Sequence, residues 1–129
     1  MILMKKEAIV TANAPAAIGP YSAGIAFGDL VFTSGQLPLN PQTGTMCDGT
    51  VGEMTTQSLN NVAAILEAAG SSMEKVVKTT IYLQDMNDFA EVNAAYEKFF
   101  TVTPPARSCV QVAALPKTAK VEIEALAVK

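Results

Sequence analysis

The residues of this chain with the clearest chemical potential lie in a short segment near its C-terminal end. Residues 104–109 read PPARSC, which places a guanidinium and a thiol two positions apart at the start of a predicted strand. Side chains two apart on a strand point to the same face, so Arg107 and Cys109 are predicted to look into one space. The donor fork of an arginine matches a planar carboxylate. The segment therefore predicts a carboxylate-binding site, with a surface arginine or an ion pair to Glu122 or Glu124 as the alternatives.

The chain contains no histidine. Serine–histidine, cysteine–histidine and histidine–metal sites are thereby excluded, and acid–base chemistry must come from a carboxylate, a tyrosine, a cysteine, a lysine or bound water. Glu122 and Glu124 are the candidate pair, because two carboxylates that face the same way raise one another's pKa and so help a general base work near neutral pH. A merely solvated strand face is the alternative for both.

Other polar residues could line a site around Arg107. Cys109 is expected to be a wall residue, since no general base of the usual kind could activate its thiol. Tyr21 and Ser34 stand at strand edges, where a packing tyrosine and a turn-forming serine are the alternatives. The amide of the Ser34-Gly35 turn could bind an anion. Asn93 falls beside the apolar stripe of a predicted helix, as a satisfied polar group or as a ligand contact.

Length and composition indicate one soluble domain, residues 1–129. No apolar run approaches the ~18 residues of a membrane span, and the start, MILMKK, lacks the apolar core of a secretion signal. Cys47 and Cys109 have neither metal-ligand spacing nor the density of a disulfide framework, so a reducing cytoplasm and no metal are expected.

The charge content bears on partners. The net charge is −3, and the lysines are scattered rather than arranged in a stripe, so neither a nucleic acid nor a membrane surface is an expected partner. Charged residues make up only 16% of the chain, which is low for a small domain and indicates an oligomer that hides surface between subunits.

Hydrophobic periodicity predicts two helices and several strands. The predicted elements are strands at 21–27 and 30–34 joined at Gly28-Asp29, a helix at 53–69 ended by Gly70, a strand at 76–83, a helix at 87–100, and strands at 108–114 and 120–128. This order predicts an α+β domain with both helices on one face of a mixed sheet. The apolar face of 76–83 is predicted to carry Val77, Thr79, Ile81 and Leu83. The sheet's other face is predicted to carry Arg107, Cys109, Gln111, Glu122, Glu124, Leu126 and Val128.

The two principal candidates are predicted to be far apart within one chain. If the last two strands form a hairpin around 116–118, Glu122 lies opposite Ala113, and Arg107 is then about 20 Å away at ~3.3 Å per residue. A register error of two residues does not bring the side chains together. A site that contains both Arg107 and Glu122 is therefore expected at a subunit interface.

The same residues make the chain resemble the RidA (YjgF/YER057c) family. The resemblance runs in order over nearly the whole chain, through APAAIGPY at 14–21, FTSGQ at 32–36, NDFAEVN at 87–93, PARSCV at 105–110, LPK at 115–117 and VEIEA at 121–125. It implies a chorismate-mutase-like α+β fold with a six-stranded sheet, assembled as a homotrimer with clefts between subunits.

The resemblance also implies an activity, that of a 2-iminobutanoate/2-iminopropanoate deaminase without a cofactor. Such an enzyme hydrolyses the reactive enamine and imine products of pyridoxal-phosphate enzymes to a 2-oxo acid and ammonia. Carried onto this chain, Arg107 would hold the substrate carboxylate and Glu122 would activate the attacking water. The residues expected to line the cleft are Tyr21, Ser34, Gly35, Asn93 and Cys109.

Two other functions remain open for a member of this family. The first is a small-carboxylate-binding regulatory trimer without significant turnover, which would use the same Arg107. The second is the ribonuclease or translation-inhibiting behaviour described within the family. The acidic net charge, the absence of histidine and the lack of a basic stripe argue against RNA as the substrate.

Overall fold

A computed structural model describes residues 5–129, which contain six strands and two helices. The elements are β1 (Glu7–Ile9), β2 (Gly24–Phe27), β3 (Leu30–Thr33), α1 (Val51–Ala68), β4 (Val76–Leu83), α2 (Phe89–Tyr96), β5 (Ala106–Gln111) and β6 (Val121–Val128). Short 3-10 turns span Met73–Lys75, Met86–Asp88, Glu97–Phe99 and Pro116–Thr118. Residues 1–4, which belong to the segment used to argue against secretion, lie outside the described range.

The local signals in the sequence predicted the helices and the first hairpin well. Gly28, with φ of +58°, makes the tight turn between β2 and β3. Helix α1 begins two residues before its predicted start, because Thr50 and Glu53 form a capping box there. It ends just before Gly70, which has φ of +84°. Helix α2 is shorter than predicted, since 3-10 turns take up both of its ends.

Both helices pack on one face of the sheet, as predicted. Helix α1 lies against β3, β6 and α2. The residues that β4 and β6 turn toward the helices, including Ile81, Leu83, Val121 and Ile123, are fully buried. Val77 was predicted on this face, but a bulge between Val76 and Lys78 turns Val77 outward and puts Val76 in the core instead. No helix within residues 5–129 is both long enough and apolar enough for a membrane span.

The six strands lie in the order β1-β2-β3-β6-β4-β5. The predicted hairpin between the last two strands is wrong, because β4 lies between them. It pairs in parallel with β5 and antiparallel with β6. The long connection through α2 allows the parallel pairing, and the antiparallel neighbours complete a mixed sheet.

This strand order corrects the predicted faces of the sheet. Arg107 pairs with the buried Thr79 and therefore stands on the helix side of the sheet, as do Cys109 and Gln111 on the same strand. Glu122 pairs with Tyr82 on the opposite, open face. The open face also carries Glu124, Leu126 and Val128, as predicted. Several of its apolar side chains are exposed, namely Phe27, Leu30, Phe32, Val110 and Val128.

Candidate active site

Arg107 is held by helix α2, near the edge of the sheet. Its Nη1 donates a 2.7 Å hydrogen bond to Oδ1 of Asn93. The Cζ atom of the guanidinium lies 5.5 Å from the ring centroid of Phe89 and 5.0 Å from that of Tyr96. The hydrogen-bond partner is a neutral amide, so this contact does not neutralise the positive charge of the guanidinium. Because Glu122 and Glu124 lie across the sheet, the alternative of an ion pair to either of them within one chain is excluded by the geometry.

A cavity of about 280 Å³ opens beside Arg107. Its lining residues are Asn93, Tyr96, Glu97, Phe100, Pro104 and Arg107. The sequence-predicted residues Arg107 and Asn93 therefore share one space. A guanidinium with donors to spare next to such a cavity can bind a carboxylate group through parallel hydrogen bonds.

Cys109 lies on the same face as Arg107, as the spacing predicted. The thiol is half-buried and packs against the hydrophobic core. Burial raises the pKa of the Cys109 thiol, and the nearby charge of Arg107 opposes that rise without cancelling it. A raised thiol pKa disfavours the thiolate, which agrees with a wall residue rather than a nucleophile.

Glu122 lies on the open face, directly against Gly35. A backbone bridge between Gln36 and Ile123 brings the two chain segments together. The pKa of the Glu122 carboxyl is raised, first by burial and second by the negative charge of the neighbouring Glu124. The predicted influence of Glu124 on Glu122 is thus present, although burial is the larger cause. A carboxylate with a raised pKa is suited to take a proton from water near neutral pH.

Tyr82 lies beside Glu122 and Glu124 on the open face, and it was not predicted as a site residue. Its hydroxyl donates a 2.9 Å hydrogen bond to Oε1 of Glu124. The hydrogen bond and the charge of Glu124 help to raise the pKa of Tyr82. The alternation along β4 does place Tyr82 on the open side of the sheet. Local patterns could not show that β6, with Glu122 and Glu124, lies next to β4.

Tyr21 and Gly35 lie in a second, smaller depression, formed by the loop before β2 and the segment after β3. Its lining includes Pro15, Ile18 and Leu37. Ser34 does not line this depression. Its hydroxyl donates to the backbone carbonyl of Ser22 at 2.6 Å, which ties the two segments together. Ser34 therefore has a clear structural role at this position.

The structure divides the predicted site residues into two groups. Arg107, Asn93 and Cys109 belong to the helix side, whereas Glu122, Gly35 and Tyr21 belong to the open side or its rim. Thr79, which pairs with Arg107, and Tyr82, which pairs with Glu122, are three positions apart on β4. Arg107 and Glu122 are also two strand spacings apart, since β4 lies between their strands. With ~4.8 Å between strands and ~3.3 Å per residue, the Cα atoms of Arg107 and Glu122 are roughly 14 Å apart, and their side chains point to opposite faces. One chain does not bring the two groups together.

A close contact explains why position 35 is a glycine and leads to a testable prediction. A Cβ added at Gly35 would lie 2.7 Å from Cδ of Glu122, so Gly35→Ala must displace this carboxyl group. The displaced atoms are the end of a flexible side chain, and the fold is expected to survive. If Glu122 activates water, displacing it by about 1 Å is expected to lower kcat about 10²-fold.

The measurement for Gly35→Ala is the rate of imine hydrolysis, together with the thermal unfolding midpoint. Gly52→Ala is the matched control, because a Cβ there would also press on a glutamate side chain, that of Glu91, at 3.2 Å. Glu91 belongs to neither group of site residues. A Gly35→Ala variant with wild-type turnover would contradict the assignment of Glu122.

Within residues 5–129, no group of three or more acidic or cysteine side chains could hold a metal ion. The two groups of site residues offer a guanidinium able to bind a carboxylate and a carboxyl group with a raised pKa.

Comparisons with known proteins extend this description. The family model described as endoribonuclease L-PSP matches residues 11–129. The 2-iminobutanoate/2-iminopropanoate deaminases of Escherichia coli K12 and Salmonella typhimurium LT2 are each 56% identical over 126 residues, spanning 95% of this chain and 98% of the relative. The YjgF gene product of E. coli matches with a TM-score of 0.92 at 55% identity, over 95% of this chain and 98% of that one. The structure of E. coli TdcF with bound serine matches with a TM-score of 0.91 at 50% identity, over the same shares.

The fold and the residues on its two faces define an α+β domain of one mixed six-stranded sheet, with two helices covering one side. The chain belongs to the endoribonuclease L-PSP family, which is the RidA (YjgF) family indicated by its motifs.

Proposed function

We propose that this chain is a 2-iminobutanoate/2-iminopropanoate deaminase that needs no cofactor. It hydrolyses the imines released by pyridoxal-phosphate enzymes to 2-oxo acids and ammonia. The observation that carries the proposal is the 56% identity to deaminases over 95% of the chain. The guanidinium of Arg107 supports it, because it is hydrogen-bonded to a neutral amide and both substrates bear a carboxylate next to the reacting carbon.

The proposed reaction requires little beyond orientation and one proton carrier. Arg107 binds the carboxylate of the protonated imine, which is already electrophilic at its C=N carbon. Glu122 takes a proton from water as the new C–O bond forms, and the C=N electron pair moves to nitrogen. Glu122 then returns the proton to this nitrogen, the C–N bond breaks to release ammonia, and the hydroxyl proton passes through Glu122 to the ammonia as the carbonyl forms. The products are a 2-oxo acid and ammonium.

The active site is proposed to form between copies of the chain, with Arg107 from one copy and Glu122 from its neighbour. The support is the separation of the two residues on opposite faces of the sheet. The cleft walls would combine Asn93 and Cys109 of the first copy with Tyr21, Ser34 and Gly35 of the second. Three copies, each with the chorismate-mutase-like fold and a single domain spanning 1–129, would form the homotrimer that the family resemblance implies.

The open face of the sheet supports such an assembly. Phe32 is 42% exposed and Val110 is 43% exposed, although both lie on strands of the sheet. Apolar patches of this kind on a small domain mark an interaction surface. A second and third copy covering this face would bury these side chains and would further desolvate Glu122.

The direct test of the activity is a coupled assay. Threonine dehydratase generates 2-aminocrotonate and its imine in situ, and the appearance of 2-oxobutanoate is timed with and without the purified chain. Acceleration by the chain is the expected result. Equal rates with and without the chain would overturn the deaminase proposal for these imines.

The shared site leads to a sharper prediction, the rescue of activity by mixing two inactive variants. Arg107→Ala and Glu122→Gln chains are each expected to be inactive alone. After joint unfolding and refolding in equal amounts, a site that takes arginine from one variant and glutamate from the other is complete. Random assembly into closed rings is expected to restore about one quarter of the wild-type activity.

The control for this experiment is each variant refolded alone under the same conditions. Recovery in the mixture supports a site that is shared between subunits. A mixture no more active than the separate variants, in the presence of mixed oligomers shown by native mass spectrometry, would contradict the shared site.

The carboxylate-binding regulatory trimer is the second candidate function. The observation that favours it is the solved relative TdcF with bound serine, a small carboxylate ligand. It predicts binding of 2-oxobutanoate without turnover, so the coupled assay separates the two functions.

RNA cleavage, although the family description names it, is disfavoured by the net charge of −3 and the absence of histidine. Both cysteines are free thiols, which fits a reducing cytoplasm.

A further inference from the structure

Helix α2 presents three side chains to the guanidinium of Arg107. Phe89, Asn93 and Tyr96 are spaced four and three residues apart, so they share one face of the helix. Asn93 accepts a hydrogen bond from Nη1, while Phe89 and Tyr96 place their rings within 5.5 Å and 5.0 Å of Cζ. Both distances fall within the ~6 Å range of a cation–π contact. The guanidinium thus has one polar and two aromatic supports.

The Tyr96 ring is itself fixed in place. Its hydroxyl shares a 2.7 Å hydrogen bond with Oγ1 of Thr79, and the two residues are 5% and 1% exposed. Thr79 is also the strand partner of Arg107 in the β4–β5 pairing. The contacts therefore form a closed loop that runs from the Arg107 backbone through Thr79 and Tyr96 and back to the Arg107 guanidinium.

This closed loop of contacts orders the Arg107 side chain before a ligand binds. A long arginine side chain loses rotamer entropy when it is ordered, and a site that orders it in advance avoids that loss at the moment of binding. The two aromatic supports do not use the N–H donors of the fork. They hold the plane of the guanidinium while leaving donors available to a carboxylate.

We infer that Phe89 and Tyr96 are positioning residues that hold the Arg107 guanidinium in its binding orientation before the substrate arrives. The inference rests on the proposed function insofar as it concerns the imine substrate. The orientation of Arg107 is a property of the chain itself and can be measured without turnover. Neither aromatic residue touches the reacting atoms in this assignment.

The competing explanation is that the two rings only fill the core. Tyr96 belongs to the main hydrophobic cluster, and Phe89 packs against it. A purely structural role predicts that substitutions lower the unfolding temperature without changing how Arg107 is ordered. The two explanations consequently differ in an observable other than stability.

The experiment compares Phe89→Leu, Tyr96→Leu and Tyr96→Phe with wild type. Val92→Ala is the matched control, because Val92 lies on the same helix, is 1% exposed and has no cation–π contact with Arg107. For each protein, the 15N order parameter of the Arg107 Nε–H group is measured without ligand. The dissociation constant of 2-oxobutanoate, the KM and the kcat for the imine are measured in parallel. Phe89→Leu removes only a half-buried ring, so it serves as the variant that folds if Tyr96→Leu does not.

The expected result is a lower Nε order parameter in Phe89→Leu and in Tyr96→Leu. The 2-oxobutanoate dissociation constant and the imine KM are expected to rise about three- to thirtyfold, the range of one cation–π contact, with a smaller change in kcat. Tyr96→Phe keeps the ring and is expected to retain most of the affinity. Val92→Ala is expected to lower stability while leaving the order parameter and the affinity unchanged.

Wild-type order and affinity in both leucine variants would overturn the inference, as would an equal loss in Val92→Ala. A wild-type chain without turnover would overturn the proposed function instead. In that case the order parameter and the 2-oxobutanoate dissociation constant decide, and their change in the two leucine variants still supports the positioning role.

Discussion

Arg107→Ala is expected to lower kcat/KM for imine hydrolysis by about 10³-fold, since two hydrogen bonds to a charged carboxylate contribute roughly 1.5–3 kcal/mol each. The structure supplies the reason for so large an effect. Arg107 is the charged donor in a cavity otherwise lined largely by aromatic, proline and amide groups, with Glu97 as the acidic member. A ligand carboxylate that loses this partner finds no second guanidinium there.

The measurement is the coupled assay, with the oligomeric state of each variant checked by size-exclusion chromatography. Arg107→Lys is the informative control, because a lysine keeps the charge but has neither the planar fork nor the same match to two aromatic rings. It is expected to recover only a small part of the lost activity. Arg107→Ala with wild-type kcat/KM and an intact oligomer would rule out the carboxylate-binding role.

Glu122→Gln is expected to lower kcat by about 10²- to 10⁴-fold, the usual contribution of a positioned general base. Binding of 2-oxobutanoate is expected to survive, because the substitution leaves Arg107 and its supports on the other face of the sheet untouched. Isothermal titration of 2-oxobutanoate and single-turnover kinetics separate the two effects. Unchanged turnover would exclude Glu122 as the base and would leave Tyr82 and Glu124 as the nearest groups able to carry a proton.

The stability of Glu122→Gln provides an internal control. The pKa of Glu122 is raised in the folded chain, so the folded state holds this proton more tightly than the unfolded state does. Ionisation of Glu122 therefore opposes folding, and its destabilising effect grows as the pH rises from the ordinary carboxyl pKa through the raised one. Removing the charge is expected to leave the variant at least as resistant to heat as wild type at neutral pH. Loss of activity without loss of stability identifies a functional residue.

The raised pKa also predicts the acid limb of the pH profile. A general base works in its deprotonated form, so the limb is expected at a higher pH than an exposed glutamate would give. Glu124→Gln removes the second cause of the shift while keeping an oxygen that can accept from Tyr82. The limb is expected to move to lower pH in this variant. An unmoved limb would mean that Glu124 does not influence the catalytic proton.

Local features of the fold could be predicted from the sequence because their causes are local. The turn at Gly28-Asp29, the end of α1 before Gly70 and the alternation of β4 depend on residues within a few positions of one another. Hydrophobic periodicity did not indicate the 3-10 turns at the ends of α2 or the bulge that turns Val77 outward. The short strand β1 at Glu7–Ile9 exists through its pairing with β2 and was not predicted either.

The site shows the same division between local and long-range causes. The residue types of the motifs determined which side chains could bind a carboxylate or carry a proton, and the family that they indicate is confirmed by the comparisons. Alternation along β5 put Arg107 and Cys109 on one face, and alternation along β6 put Glu122 and Glu124 on one face. Alternation alone could not show whether the Arg107 face of β5 and the Glu122 face of β6 lie on the same side of the sheet. That depends on how the strands pair with one another.

Only the tertiary structure decided that question. Strand β4 lies between β5 and β6 and pairs with them in opposite directions, which turns Arg107 toward the helices and Glu122 away from them. The sequence by itself determined which side chains are available for chemistry and which of them share a strand face, since these follow from residue types in local patterns. Strand order determined that the two principal groups lie on opposite sides of one sheet, since hydrogen bonding between strands distant in sequence is a property of the whole chain.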